Sequence, residues 1–100
     1  MSKNNLPVSV FQKTVGCWAD NKYKGMTNEA LYKHLKKEVE ELHENFDPVE
    51  AADCFLLLLH FAHKNDFDLL EEAIKKQEIN LKRKWATVPD GDGIYRHIEE

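Results

Sequence analysis

The sequence predicts an all-α chain built as a four-helix bundle, and three observations carry that prediction. Apolar residues recur every three or four positions along most of its length. Capping residues interrupt this periodicity at short intervals. No stretch alternates apolar and polar residues as a half-buried strand would. The first helix is expected from about Pro7 to Asn21, with Val8, Phe11, Val15 and Trp18 on one stripe. Lys22 to Met26, which includes Gly25, reads as a connector. Thr27 or Asn28 caps a second helix whose stripe is Leu31, Leu35, Val39 and Leu42, ending near Asn45.

Phe46-Asp47-Pro48 is a turn signal. Asp47 suits an N-cap, Pro48 the first helical position, and Glu50 completes an Asp-x-x-Glu capping pattern. The third helix then runs to about Lys64, and its middle, Cys54 to Leu59, is apolar on every side. Such a helix demands cover all round, from several helices or from another subunit. Asp68 and Glu71 repeat the capping pattern and open a fourth helix reaching about Lys84, with Leu70, Ala73, Ile74, Gln77 and Leu81 inward. A flexible polar tail is expected from about residue 86, with Asp90-Gly91-Asp92-Gly93 as a turn. Short connections favour antiparallel neighbours.

Composition narrows the function. One hundred residues make a single domain, expected over 1–100. Fourteen Lys+Arg against eighteen Asp+Glu leave a formal charge of −4, which argues against binding a nucleic-acid polymer. The apolar run from Cys54 to Leu59 is far short of the ~20 residues that span a bilayer, so no membrane partner is expected. Lys3 is followed by no apolar run of the secretory kind. Cys17 and Cys54 lie in apolar periodic segments and read as two buried, reduced thiols of a cytoplasmic protein, though a disulfide between them is geometrically open.

The chemistry concentrates in carboxylates. Glu38 and Glu41 are three apart on the second helix, and Glu50 and Asp53 three apart on the third. Residues at that spacing share a helix face. In an antiparallel hairpin the two pairs can face each other near its tip. Four facing carboxylates either raise their pKa values or bind a divalent cation. An all-oxygen site favours Mg²⁺, with Mn²⁺ as the alternative, and Mg²⁺ commonly binds phosphates too. The plainer reading is a solvated acidic face pairing with Lys36 and Lys37, with Glu50 serving as a cap. Glu40-x-x-His43 has no second copy, so a di-iron bundle is disfavoured.

Lys76, Asn80 and Arg83 are spaced by four and three on the fourth helix. A cation, an amide and a guanidinium on one stripe suit a polyphosphate and its sugar. Cations near a helix C-terminus also favour the macrodipole, which leaves Asn80 unexplained. Trp85 can stack on a base or cap the core. His34 lies one turn before Glu38 on the same face, either contacting substrate or orienting a carboxylate.

The residues together resemble a known family. Phe11…Trp18, His34-Leu35-Lys36-Lys37-Glu38-Val39-Glu40-Glu41-Leu42, Glu50-Ala51-Ala52-Asp53, Lys76…Asn80…Arg83-x-Trp85 and Gly93…His97 are similar to the MazG-like all-α nucleoside triphosphate pyrophosphohydrolases. The likeness is strongest to their phage-type dATP/dGTP branch, and it covers about Val8 to His97. The gap between the two acidic motifs is short for the family. The resemblance implies a fold completed by oligomerisation, as a homodimer or tetramer in a bacterial or phage-infected cytoplasm. It implies Mg²⁺-dependent cleavage of a purine deoxynucleoside triphosphate to monophosphate and pyrophosphate.

On that reading Glu38, Glu41, Glu50 and Asp53 are the metal ligands, and Glu41 with Glu38 the catalytic pair, Glu41 orienting or deprotonating a water. Lys37, Lys76, Asn80 and Arg83 bind substrate, and Trp18, His34 and Trp85 are candidates for the base pocket. Two other readings stand beside it: a house-cleaning hydrolase of other or damaged triphosphates, and a non-catalytic helical interaction module.

Overall fold

The computed structural model describes residues 7–99. They form α1 (Val8–Lys22), α2 (Asn28–Asn45), α3 (Pro48–Lys64) and α4 (Leu69–Lys82). No helix among them is long and apolar enough to cross a membrane. The chain divides into two compact units, Met1–Leu70 and Glu71–Glu100.

In the first unit α3 packs against both α1 and α2. The α2–α3 hairpin is set by local chemistry. Thr27 starts α2 by accepting from the Ala30 N–H, and Asp47 starts α3 by accepting from the Val49 N–H at 2.8 Å. Between them Phe46 adopts the left-handed conformation (φ 48°) while its N–H closes on the Leu42 carbonyl. That conformation costs a bulky residue strain. The Phe46 ring packs edge-on against His43, which offsets part of it.

α1 does not bury the stripe that the large apolar residues suggest. Its buried positions are Gln12, Gly16 and Ala19, whereas Val8, Phe11 and Val15 are half-buried and Trp18 is 57% exposed. Small residues win this face because α3 approaches closely: a Cβ on Gly16 would overlap the Cβ and ring of His63. His63 then reaches across to Asp20, at 3.1 Å. Gln12 closes the other end. Its amide donates to the Phe67 carbonyl at 2.7 Å and accepts from the Leu69 N–H at 3.0 Å, tying the α3–α4 loop to α1. Buried polar groups need such partners.

The expected all-round burial of α3 is met on two sides only. Leu59, His60 and Ala62 are buried, while Phe55, Leu56, Leu58 and Phe61 remain 37–40% exposed. The thiols also depart from expectation. Cys17 is exposed, pointing away from the Gln12–Gly16–Ala19 face, Cys54 is half-buried, and both are free.

The second unit is described by itself. None of α4 is buried, and the expected inward positions Ile74 and Leu81 are 52% and 74% exposed, because this unit contains no second helix to cover them. Beyond α4 the polar segment makes backbone pairings of its own. Trp85 and His97 form an antiparallel bridge, flanked by Ala86 N–H to Arg96 O and Ile98 N–H to Lys84 O. The Asp-Gly-Asp-Gly turn makes this pairing: Asp90 accepts from the Asp92 and Ile94 N–H groups and from Arg96, and Gly93 takes φ 77°. The Asp90 carboxyl is held below its ordinary pKa first by the Ile94 N–H, then by Arg96.

Gly16→Ala tests the close approach. Overpacking costs about 1–3 kcal/mol, against at most ~1 kcal/mol gained in helix propensity. Urea unfolding should show net destabilisation.

Candidate functional site

Glu38 on α2 and Glu50 and Asp53 on α3 converge, each offering a carboxylate oxygen within 4.8 Å of the others. All three are half-buried. The i, i+3 spacing turns Glu50 and Asp53 to one face of α3, and the hairpin turn brings that face to Glu38. Glu41, the fourth expected ligand, lies outside this close group, although its charge acts on both Glu38 and Glu50.

Crowding shows in the proton affinities. Burial first, then Glu41 and a hydrogen bond and charge from Asp53, raise the Glu38 pKa above its ordinary value, with His34 pulling the other way. His34 Nε2 lies 3.9 Å from Glu38 Oε2. Burial, then Glu41, Asp53, Glu38 and Asp47, raise Glu50. The thiol of Cys54 is raised by burial and then by Glu38, Asp53 and Glu50. Glu50 Oε2 is buried and finds no hydrogen-bond partner among the described residues. An orphaned carboxylate oxygen inside a ring of carboxylates suits a hard cation with oxygen ligands, and Mg²⁺ or Mn²⁺ fits that donor set.

Beside the carboxylates a cavity of about 570 Å³ opens among the three helices of the first unit. Glu38 and Asp53 line it, so the acidic cluster and the cavity share a wall. Its other walls are largely apolar and aromatic, with Trp18, Tyr23, Met26, Leu56 and Leu57. Trp18 packs edge-on against Tyr23 at 5.6 Å between ring centroids. His34 lines the same space. A largely apolar pocket with a few polar groups on one side is the usual form of a small-molecule site.

Sequence reading placed Trp18, His34, Glu38 and Asp53 among the site candidates and missed Tyr23, Met26, Leu56, Leu57 and His60. His60 had a usable signal: it stands seven residues after Asp53, hence on the same helix face. Lys37 is exposed.

The remaining candidates belong to the second unit. Asn80 donates to Gln77 Oε1 at 3.3 Å, and the Trp85 indole N–H donates to the Asn80 carbonyl at 2.8 Å. The Trp85 ring packs edge-on against His97. Lys76 is exposed, and Arg83 is half-buried in a small hollow of about 280 Å³ lined also by Lys82, Lys84 and His97.

A family model described as dATP/dGTP pyrophosphohydrolase matches residues 11–100. Among solved structures, the cyanophage S-2L MazG-like pyrophosphohydrolase bound to dGDP and three catalytic Mn²⁺ ions per active site is similar, with a TM-score of 0.82 and 28% identity. The match covers 94% of this chain and 99% of that one. No curated protein matches.

The raised carboxylates give a signed prediction. Folded Glu38 and Glu50 hold protons above the ordinary value of 4.5, so the folded state binds more protons than the unfolded chain over the interval above it. Stability of the metal-free protein should therefore fall as pH rises through that interval. Thermal melts without metal should show this decline, shallower in Glu50→Gln. Added Mn²⁺ should raise the melting temperature at neutral pH.

Proposed function

The chain belongs to the dATP/dGTP pyrophosphohydrolase family, and from that premise we propose how its residues carry out the reaction. The activity is metal-dependent hydrolysis of a nucleoside triphosphate to monophosphate and pyrophosphate, with dATP and dGTP as substrates. The observation that carries the site assignment is the half-buried trio Glu38, Glu50 and Asp53, with its orphaned oxygen, on the wall of an apolar cavity.

Glu38, Glu50 and Asp53 would hold Mg²⁺ or Mn²⁺. When bound, the metal supplies charge neutralisation for the triphosphate and lowers the pKa of a water it coordinates. Glu41 stands close enough to act on Glu38 and Glu50 yet outside their tight group, which suits a residue that orients the attacking water or accepts its proton. Its electrostatic effect also helps keep the trio's affinity for cations high. Glu38 contributes both to the metal site and to the cavity wall.

Trp18 and His34 line the cavity and are the proposed base contacts. Lys37, Lys76, Asn80 and Arg83 are the proposed contacts to phosphate and sugar, cations and an amide matching anionic and hydroxyl groups. Trp85 completes the proposed substrate set. The dGDP and Mn²⁺ bound by the cyanophage enzyme support a purine deoxynucleotide and a divalent metal here. The cytoplasm of a bacterium or an infected host holds the pool such an enzyme draws on.

Purified protein should be incubated with each common NTP and dNTP, with Mg²⁺, Mn²⁺ or EDTA, and the products resolved by chromatography. The expected products are dAMP or dGMP with pyrophosphate, absent with EDTA. Loss of residues that only orient a metal ligand already costs about 10–100-fold. Glu50→Gln and Asp53→Asn should therefore lower kcat/KM by at least ~100-fold and weaken Mn²⁺ binding in calorimetry. Unchanged metal affinity in both would refute the assignment.

We also propose that a second copy of the chain covers the open side of α3. Ala51, Ala52, Phe55 and Leu58 present an exposed apolar face there, of a kind that monomers seldom leave uncovered. Sedimentation should report a dimer or tetramer, and Phe55→Glu should shift it toward monomer. A monomeric parent protein would remove this reading.

A further inference from the structure

One polar side chain in the cavity has no role in the reaction described above. His60 is 5% exposed and lines the cavity, and its ring forms no hydrogen bond among the described residues. Its ring nitrogens are not among the buried atoms left without a partner, so they are open to the cavity rather than sealed in the core. A cavity ligand can therefore meet them directly, as the few polar groups of a largely apolar pocket usually do. The position of His60 is specific. Asp53, Leu57 and His60 follow the i, i+4, i+7 pattern, so they form one stripe along α3, and all three line the cavity. Seven helical residues rise about 10 Å, the scale that separates a nucleotide's phosphates from the far edge of its base. With phosphates at the Asp53 end, the far edge of a base comes toward His60.

We propose that His60 reads the 6-position of the purine base, and that its unpinned tautomer is what lets one cavity accept both adenine and guanine. This rests on the cavity taking the base of a deoxynucleoside triphosphate. At the 6-position adenine carries an amino donor and guanine a carbonyl acceptor. A site with a fixed donor or a fixed acceptor rejects one of them. A neutral imidazole carries one N–H and one lone pair, and exchange of tautomer swaps them at the nitrogen that meets the base. Where the other nitrogen of a histidine has a hydrogen-bond partner, that partner pins the tautomer. His60 has no such hydrogen bond among the described residues, so either form is available to match the base.

Burial lowers the His60 pKa below its ordinary value, with Asp20 opposing and His63 and Lys64 reinforcing, which favours the neutral ring this role needs. The cavity's apolar walls add weight to the contact, because Leu56 and Leu57 offer the base edge no competing hydrogen bond.

Two measurements test this, one on the unaltered protein. In ¹⁵N spectra of imidazole-labelled protein, titration with dAMP and with dGMP should drive His60 to opposite tautomers. The same tautomer with both nucleotides, or an unmoved His60 while His34 and the Trp18 indole respond, overturns the inference and leaves the proposed function standing. The second is kinetic. Wild-type protein should turn over the 6-unsubstituted purine deoxynucleoside triphosphate roughly 10-fold less efficiently than dATP or dGTP, one hydrogen bond's worth. In His60→Leu that gap should shrink to within about twofold, whereas in His60→Asn, which keeps a donor and an acceptor, dATP and dGTP should stay matched to each other. A gap undiminished in His60→Leu overturns the inference. Absence of any triphosphate turnover by the wild-type protein would remove the proposed function and this inference together.

Discussion

Three carboxylate oxygens within 4.8 Å of one another, half-buried, are the constraint around which the first unit is arranged. Left alone, such a group pushes its helices apart or takes up protons, and the raised Glu38 and Glu50 show the second response. The hairpin must therefore be held by interactions that do not depend on the cluster. The Asp47 cap and the Pro48 start fix where α3 begins, and Phe46 accepts a left-handed backbone to make the turn. On the other side of α3, Gly16 leaves room for the His63 side chain to lie against the α1 backbone, and the Gln12 amide locks the following loop. The stability of this unit is spent at one wall and recovered at the other, a common division between functional sites and their supports.

Much of this was legible in the sequence because it is local. Capping residues and the three-and-four periodicity delimit α1, α2 and α3 to within a residue or two of their observed ends. The two acidic pairs could be read from spacing alone, since i, i+3 places side chains together whatever surrounds them. The displacement of Glu41 from the close group could not, because it depends on the rotation of α2 against α3.

What stayed hidden is tertiary. Gly16, Ala19 and Gln12 bury the face of α1, yet a glycine, an alanine and an amide give little hydrophobic signal, so Val8, Phe11, Val15 and Trp18 took the role on paper. Trp18 instead turns to the cavity with Tyr23 and Met26, residues from the α1 end and the connector that periodicity cannot pair with α3. Leu81 and Ile74 have the right spacing for a core face, but spacing says nothing about whether a covering element exists. The pairing after α4 stayed hidden for another reason. Polarity reads as looseness, while Asp90 uses that same polarity to bind two backbone N–H groups and Arg96.

Glu38 and Asp53 belong at once to the acidic cluster and to the cavity wall, and this shared membership couples two chemistries. Apolar walls thin the water around the carboxylates, which strengthens every charge interaction there. The cluster thereby becomes both harder to leave empty and more responsive to a cation. A ligand that fills the cavity with an aromatic ring displaces more of that water and sharpens the effect further. A free phosphate would gain the first benefit and miss the second. A nucleotide, with anionic and aromatic ends joined at a fixed span, would gain both, and on the proposed reading the helix face from Asp53 to His60 would favour that joined pair over either part alone.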